Sequence, residues 1–347
     1  MKMRTFIIKR LLLLIPVLIG VSIIVFSLTR MAGDPASPYI TEKMKPEQIQ
    51  QVYDRLHLVP NPTLADYVQQ YFNWISLVIQ GDFGYTAPGT PGGRQPVSTA
   101  ITTFFPATIE LATVSMIMAV FVGIKLGTVS AVKKDKPADH AARLISLAGV
   151  SLPVFMLAII LIVVFYQGLH WFPIGGRVSN IYVVNHMTTG NGFLIIPSLM
   201  SGNLNFFGDV LWHLVLPALT LSIATLAIIA RVMRSSMLEV MSQDYVKTAR
   251  SKGLSEKEVI NHHARRNALI PTTTVVGLAF GGLLGGAVVT ETIFKFPGLG
   301  WWSAGAIMRL DTYSILAFVL LTAVIYVLVN IVVDIMYAYL DPRVRLE

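Results

Sequence analysis

Cysteine is missing from all 347 residues, which excludes disulfides, thiolate metal sites and cysteine nucleophiles. Charge is scarce as well: Asp, Glu, Lys and Arg make up 13% of the chain, where soluble domains carry about 25%. No Gly-x-x-x-x-Gly-Lys-Ser/Thr loop occurs, so the chain has no standard cradle for nucleotide phosphates. His262-His263 lacks the partnering Glu-x-x-His or Cys pair of a zinc site and reads as a polar helix face. There is no nucleophile elbow and no spaced carboxylate pair in the loops. These absences leave little room for an enzyme.

What is present is apolar. Hydrophobic residues account for 54% of the sequence and the mean hydropathy is +0.64, more than a soluble core of this length can hide. Lipid is the natural solvent for such a chain. A membrane span needs about 20 mainly apolar residues, and six segments qualify, near residues 11–28, 108–132, 144–166, 211–232, 272–290 and 315–340. Although Lys2, Arg4, Lys9 and Arg10 precede the first, its apolar run is longer than a signal core. No small-x-small site follows it, so it reads as an uncleaved span.

The net charge of +8 does not indicate nucleic acid, because the basic residues sit in short clusters between apolar runs. Lys133, Lys134, Lys136 and Arg143 crowd the second connection. Arg231, Arg234, Lys247, Arg250, Lys252, Lys257, Arg265 and Arg266 crowd the fourth, and the tail adds Arg343 and Arg345. With six spans, every cluster falls on one side, which places both termini in the cytoplasm. Trp171, Phe172, Trp212, Trp301 and Trp302 then fall near the outer interface. Of the ionisable residues in the spans, Glu110, Lys125 and Asp334 each lie nearer an end than the midplane. That position predicts snorkelling or a local ion pair rather than a proton relay. In the fifth span Gly277, Gly281, Gly282, Gly285 and Gly286 form small-xxx-small spacings that predict either close packing against neighbouring helices or the lining of a pathway.

Two connections are too long to be simple links. From Met31 to Phe105, apolar periodicity predicts short amphipathic helices over 46–56 and 64–79, with a flexible turn at Gly89–Gly93. Its role is either a cap over the spans or a docking surface. Over the 38 residues from Arg234 to Pro271, a basic helix at 244–252 ends at Gly253. Ser255-Glu256-Lys257-Glu258 then offers a capping box for a second helix. The pair predicts a rigid hairpin under the membrane, with Ala249 small enough to seat closely in a partner's cleft.

These residues carry a resemblance. Gln243-Asp-Tyr-Val-Lys-Thr-Ala-Arg-Ser-Lys-Gly-Leu-Ser-Glu256, with His263-Ala-Arg-Arg-Asn-Ala-Leu-Ile-Pro271, resembles the inner "EAA" loop of the dipeptide/oligopeptide permeases of ABC importers. The likeness continues through Gly282–Phe294, Phe296–Gly300, Asp334–Tyr339 and Leu340–Arg343. At the front, Arg10–Gly20, Gly33-Asp34-Pro35, Gly81–Gly84 and Pro106–Leu111 match the first permease of such systems. Lys247-Thr248-Ala249 replaces the general Glu-Ala-Ala, and the interval from Gly253 to Pro271 is longer than in sugar permeases. Both departures are usual in the peptide branch. The segment 181–203 is expanded relative to a compact member.

The resemblance implies an all-α polytopic membrane protein with six transmembrane helices, of the type I ABC importer permease fold. Its parts would be an N-terminal span (1–30), an extracytoplasmic region (31–105), a five-helix core (106–340) containing a coupling loop (234–270), and a cytoplasmic tail (341–347). It implies pairing with a second homologous permease, two ABC ATPases that bind ATP and Mg, an extracytoplasmic solute-binding protein, and membrane lipid. This chain itself would hold no cofactor and no metal. Asp244, Tyr245, Thr248, Ala249, Lys252, Gly253 and Leu254 would dock in an ATPase, supported by His263, Arg266, Asn267 and Pro271. Cargo would be di- or oligopeptides, with oligosaccharides or nickel chelates as alternatives. A self-sufficient secondary transporter is the competing class. It would show inverted repeats or discontinuous spans and midplane charges, and the sequence shows none of these.

Overall fold

The computed structural model describes residues 3–184 and 192–340, and these residues form helices joined by loops, with no strand among them. The tail with Arg343 and Arg345 and the middle of the 181–203 segment lie outside the described residues. So do the surroundings of Gly285 and Gly286 and the side chain of Asp334.

In chain order the helices begin with α1 (Met3–Ala32), α2 (Pro46–Arg55), α3 (Leu64–Ile79) and α4 (Val97–Val132). They continue with α5 (Pro137–Ser151), α6 (Val154–Leu161), α7 (Asn180–Val184), α8 (Ile195–Met200) and α9 (Leu204–Met241). The last are α10 (Asp244–Ser251), α11 (Glu256–Glu258), α12 (Arg265–Ile293), α13 (Leu299–Ile307) and α14 (Thr312–Leu340). Wider π-type turns extend α6 through Ile162–Gly168 and join α11 to α12 through Val259–Ala264.

Four helices are long and apolar enough to cross a bilayer unaided: α1, α4, α9 and α14. Two bent helix pairs also have the length and hydropathy of a span, so the described residues hold four to six candidate spans against the six expected. The third was expected as one helix over 144–166. Instead α5 and α6 meet at 110°. The cause is local: Leu152 precedes Pro153, whose ring disfavours helical backbone at the residue before it, and Leu152 is extended (φ −80°, ψ 126°). The fifth bends by 51° between Leu283 and Ala287, within its glycine run.

The centre is α4 against α9. Gly127 permits that contact, since a Cβ there would lie 2.5 Å from the carbonyl oxygen of Ala230. Leu111 and Ala112 of α4 share a buried cluster with Leu214, Leu216 and Leu221 of α9 and with Phe294 and Phe296 beyond α12. At Gly277 an added Cβ would meet Val333 at 2.4 Å, and at Gly281 it would meet Tyr326 at 3.2 Å, so α12 lies close on α14. At Gly282 an added Cβ would meet no atom of this chain within 4 Å.

At 38 residues α9 is about 57 Å long, well beyond the roughly 30 Å of hydrocarbon that a span has to cross. Its last turns carry the α10–α12 hairpin, packed on Met233, Met237 and the end of α4 at Ala131. The opposite end of the bundle carries a lobe built from residues 33–96. The helices expected over 46–56 and 64–79 form there as α2 and α3, and Gly89, Gly92 and Gly93 take positive φ in the predicted turn. Buried Asp311 fastens the lobe to α14, accepting from Ala87 N (2.8 Å), Thr90 Oγ1 (2.7 Å) and Ser314 Oγ (2.7 Å).

Candidate functional site

The hairpin is built from local signals. Asp244 lies in the first turn of α10, where the exposed amides favour an acid, and it pairs with Lys247 at 2.9 Å. Thr248 Oγ1 bonds back to the Asp244 carbonyl at 2.9 Å. The chain reverses at Gly253 with φ +81°, a conformation that most side chains resist, and nothing lies within 4 Å of a Cβ there. Ser255 and Glu258 cap each other across the start of α11: the Glu258 amide donates to Ser255 Oγ, and the Ser255 amide donates to Glu258 Oε2. Arg250 grips Glu256 across the turn with bonds of 3.1 and 2.8 Å, and this pairing raises the guanidinium pKa further.

Ala249 departs from its expected place. It is buried with Val246, Val259 and Val240 in a small apolar centre inside the hairpin, so it does not form the outward surface. It cannot at once fill this centre and seat in a partner's cleft. The surface α10 offers consists of Tyr245, Thr248, Lys252 and, past the reversal, Leu254, all exposed. Of the residues read as support, Asn267 donates through Nδ2 to the Tyr245 hydroxyl at 2.8 Å and to the His263 carbonyl at 3.1 Å. Arg266 is exposed. Pro271 lies inside α12, where it offers no N–H to the Asn267 carbonyl. Thr272 and Thr273 on the following positions bond back to Ala268 and Leu269. The geometry is a short two-armed protrusion with its own core, an exposed polar and apolar tip, and a hydrogen-bonded root.

Beside the root, Arg234 holds buried Asp139 with two bonds, Nε to Oδ1 at 2.8 Å and NH2 to Oδ2 at 2.9 Å; Ser130 adds a third at 2.5 Å. This joins α4, α5 and α9 at the end from which the hairpin projects. Counting Arg234 only as a loop charge missed this pairing. The signal available was an Arg still inside the apolar period of α9.

A second polar cluster occupies the lobe end. Glu110 of α4 pairs with Arg177 at 2.6 Å and accepts from the amides of Leu194 (2.8 Å) and Ile195 (2.7 Å). The local ion pair expected for Glu110 is therefore formed. Its partners also show what the described part of the expanded 181–203 segment does, which is to cover this carboxylate. Burial pulls the Arg177 pKa down while Glu110 pulls it up. Lys125 lies over the Phe121 ring at 4.2 Å. Glu291 escaped the sequence reading because the fifth span was ended one residue before it. It is fully buried, accepting from Thr108 Oγ1 (2.7 Å) and the Trp301 amide (2.9 Å), while Thr108 accepts from the Leu299 amide (2.8 Å). Together these bonds lock α4, α12 and α13 at the lobe end. Among the described residues no group of three or more His, Asp or Glu is placed to hold a metal ion.

Residues 123–346 match the family model described as "Binding-protein-dependent transport system inner membrane component". Over 99% of both chains the sequence is 42% identical to a di/tripeptide transport system permease protein of Pseudomonas aeruginosa. It is 40% identical, again over 99% of both chains, to a dipeptide transport system permease protein of Escherichia coli. A glutathione transport system permease protein of Escherichia coli is 36% identical over 99% of each chain.

Proposed function

This chain belongs to the binding-protein-dependent transport system inner membrane components, a permease family and not an enzyme family, and from that premise we propose that it imports short peptides as half of a two-permease pathway. Di- and tripeptides are the cargo chemistry, since the relatives similar over their full length are named for dipeptides, di/tripeptides and glutathione. ATP and Mg are bound by two ATPase subunits, and a solute-binding protein delivers the peptide.

The observation that carries the mechanical reading is the hairpin of α10 and α11 with its own core and its tie to α12. Force applied at Tyr245 or Leu254 passes through the Tyr245–Asn267 bond and the packed Val246–Val259 contact into α12, without dissipating in a floppy loop. ATPase closure would draw two such hairpins together and switch the pathway between its two faces as rigid bodies. The locked Glu110–Arg177 and Glu291–Thr108 bonds make the lobe end of the bundle move as one piece.

The hairpin end faces the cytoplasm in this reading. Supporting it, residues 133–143 and 231–266 gather their basic side chains at that end. The lobe of residues 33–96 then faces the binding protein, and both termini are cytoplasmic. The parts of the chain follow: a peripheral first span, an extracytoplasmic lobe, and a five-span core that includes the coupling loop 234–270.

Reconstitution tests the assignment. The chain, its partner permease, the ATPases and the binding protein in proteoliposomes should accumulate labelled dipeptide only with ATP inside the ATPase compartment. Accumulation driven by a proton gradient in vesicles lacking the ATPases would instead show a self-sufficient transporter.

A further inference from the structure

A cavity of about 550 Å³ lies between the last turn of α1, the lobe and the start of α14. Its charge is unbalanced. Arg30, Arg55 and Arg94 all line it, as does one carboxylate, Asp82, which accepts from the Gly84 amide at 2.8 Å. None of the three arginines has an ion pair among the described residues. Arg30 lies with its guanidinium 4.7 Å over the Phe26 ring, yet its buried Nε and NH1 find no protein acceptor. Gln70 Nε2, also on the wall, finds none either. Buried donors without acceptors are costly, and a fork of guanidinium donors matches the oxygens of a phosphate or carboxylate.

The position of the cavity selects between those anions. Arg30 occupies the last turn of a lipid-exposed span, which is the depth of lipid headgroups. The neighbouring α3 buries Gln70 and Trp74 but exposes Leu64 (81%), Phe72 (61%) and Ile79 (80%), the two-faced pattern of a helix lying on a bilayer. Leu28 and Met31 of α1 are likewise exposed beside it. Trp74, Leu77 and Leu316 add apolar lining.

We propose that this cavity binds the phosphate headgroup of an anionic phospholipid from the leaflet on the lobe side, with Arg30 as the deep contact and Arg55 and Arg94 at the rim. The assignment needs only that the chain spans the membrane, and it holds whichever cargo is carried. Such a lipid would fasten the otherwise peripheral α1 to the lobe and to α14.

The complete purified transporter, analysed by native mass spectrometry in detergent with added lipid, provides the test. Wild type should retain phosphatidylglycerol over phosphatidylcholine by about tenfold, the scale expected when a few arginines meet one added anionic charge. The rim variant Arg55→Gln with Arg94→Gln alters exposed side chains, which protects the fold, and should reduce that preference several-fold. Arg30→Gln should abolish it. Equal retention of the two lipids by wild type, or an unchanged preference in the rim variant, overturns the proposal. If glycerol 3-phosphate or a dipeptide displaces the lipid at comparable concentration, the ligand is a soluble anion and the lipid assignment fails.

Discussion

Asn267 Nδ2 donates to the Tyr245 hydroxyl at 2.8 Å, joining the first arm of the hairpin to the first turn of α12 across 22 residues. Both side chains are exposed, so the bond contributes little to global stability, on the order of 1 kcal/mol. Its value lies in stiffness between the tip and the span. Tyr245→Phe and Asn267→Ala should each leave the amount of protein in the membrane unchanged and lower dipeptide uptake several-fold. The double variant should be no worse than the more impaired single one, because each single variant already removes the Tyr245–Asn267 bond. Additive losses in an uptake assay would show that the two residues act separately.

Gly253 makes a second demand on the hairpin. With φ +81° and no neighbour within 4 Å of a Cβ, substitution there meets a backbone cost of about 1–2 kcal/mol and no clash. The order of transport activity should therefore be Gly, then Asn, then Ala, then Val, following the ease of left-handed backbone and not side-chain size. A ranking by volume alone, with Asn below Ala, would mean that the tip is filled by a partner.

Ala249 tests a different property. Because it sits in the apolar centre with Val246 and Val259, Ala249→Glu would bury an unpaired carboxylate and unfold the hairpin. Limited proteolysis should then cut between residues 242 and 258 in the variant and spare wild type. Ala249→Ser, similar in volume, should retain most uptake. If the Ala249→Glu hairpin instead stays protease-resistant and fails only to hold the ATPases, position 249 faces outward, as the sequence suggested.

Much of this architecture was legible beforehand, and for identifiable reasons. The helices of the lobe and the hairpin announce themselves through short-range signals: apolar periodicity at 64–79, glycine at 253, and the Ser255–Glu258 capping box. Such signals depend on a few adjacent residues. The break at Leu152–Pro153 was also local, but a continuous apolar run hid it, since hydropathy counts residues and ignores backbone direction. What could not be read were pairings between distant segments. Glu110 finds Arg177, 67 residues away, and Thr108 finds Glu291, 183 residues away, and neither separation leaves a mark in composition. For Ala249, periodicity left open which side of a two-turn helix faces inward, because Val246 and Val259 decide that only once the arms close.

The native absence of cysteine makes the orientation directly measurable. Ser98→Cys, exposed at the start of α4, should react with an impermeant maleimide in intact cells, whereas Leu254→Cys at the hairpin tip should react only after lysis. With the ATPases bound, labelling of Leu254→Cys should fall. The opposite pattern of labelling would invert the proposed topology.

Arg234 separates two meanings of a basic residue near the membrane. As an orientation signal it needs only its charge, and Lys would serve equally. As the partner of Asp139 it needs a planar fork, since Nε and NH2 each hold one carboxylate oxygen, at 2.8 and 2.9 Å. Asp139 is fully buried, and removing one partner of a buried pair typically costs about 3–5 kcal/mol. Arg234→Lys should therefore insert in the wild-type orientation yet lower the melting temperature of the purified complex, because one ammonium cannot replace both bonds. Asp139→Asn keeps the shape and should destabilise less than Asp139→Leu, which leaves Arg234 and Ser130 without their acceptor. Combining Asp139→Leu with Arg234→Met removes both charges and should recover part of the loss, as buried pairs replaced by apolar residues often do. If Arg234→Lys melts like wild type, the bond contributes nothing beyond charge, and the union of α4, α5 and α9 must rest on apolar packing such as Gly127 against Ala230.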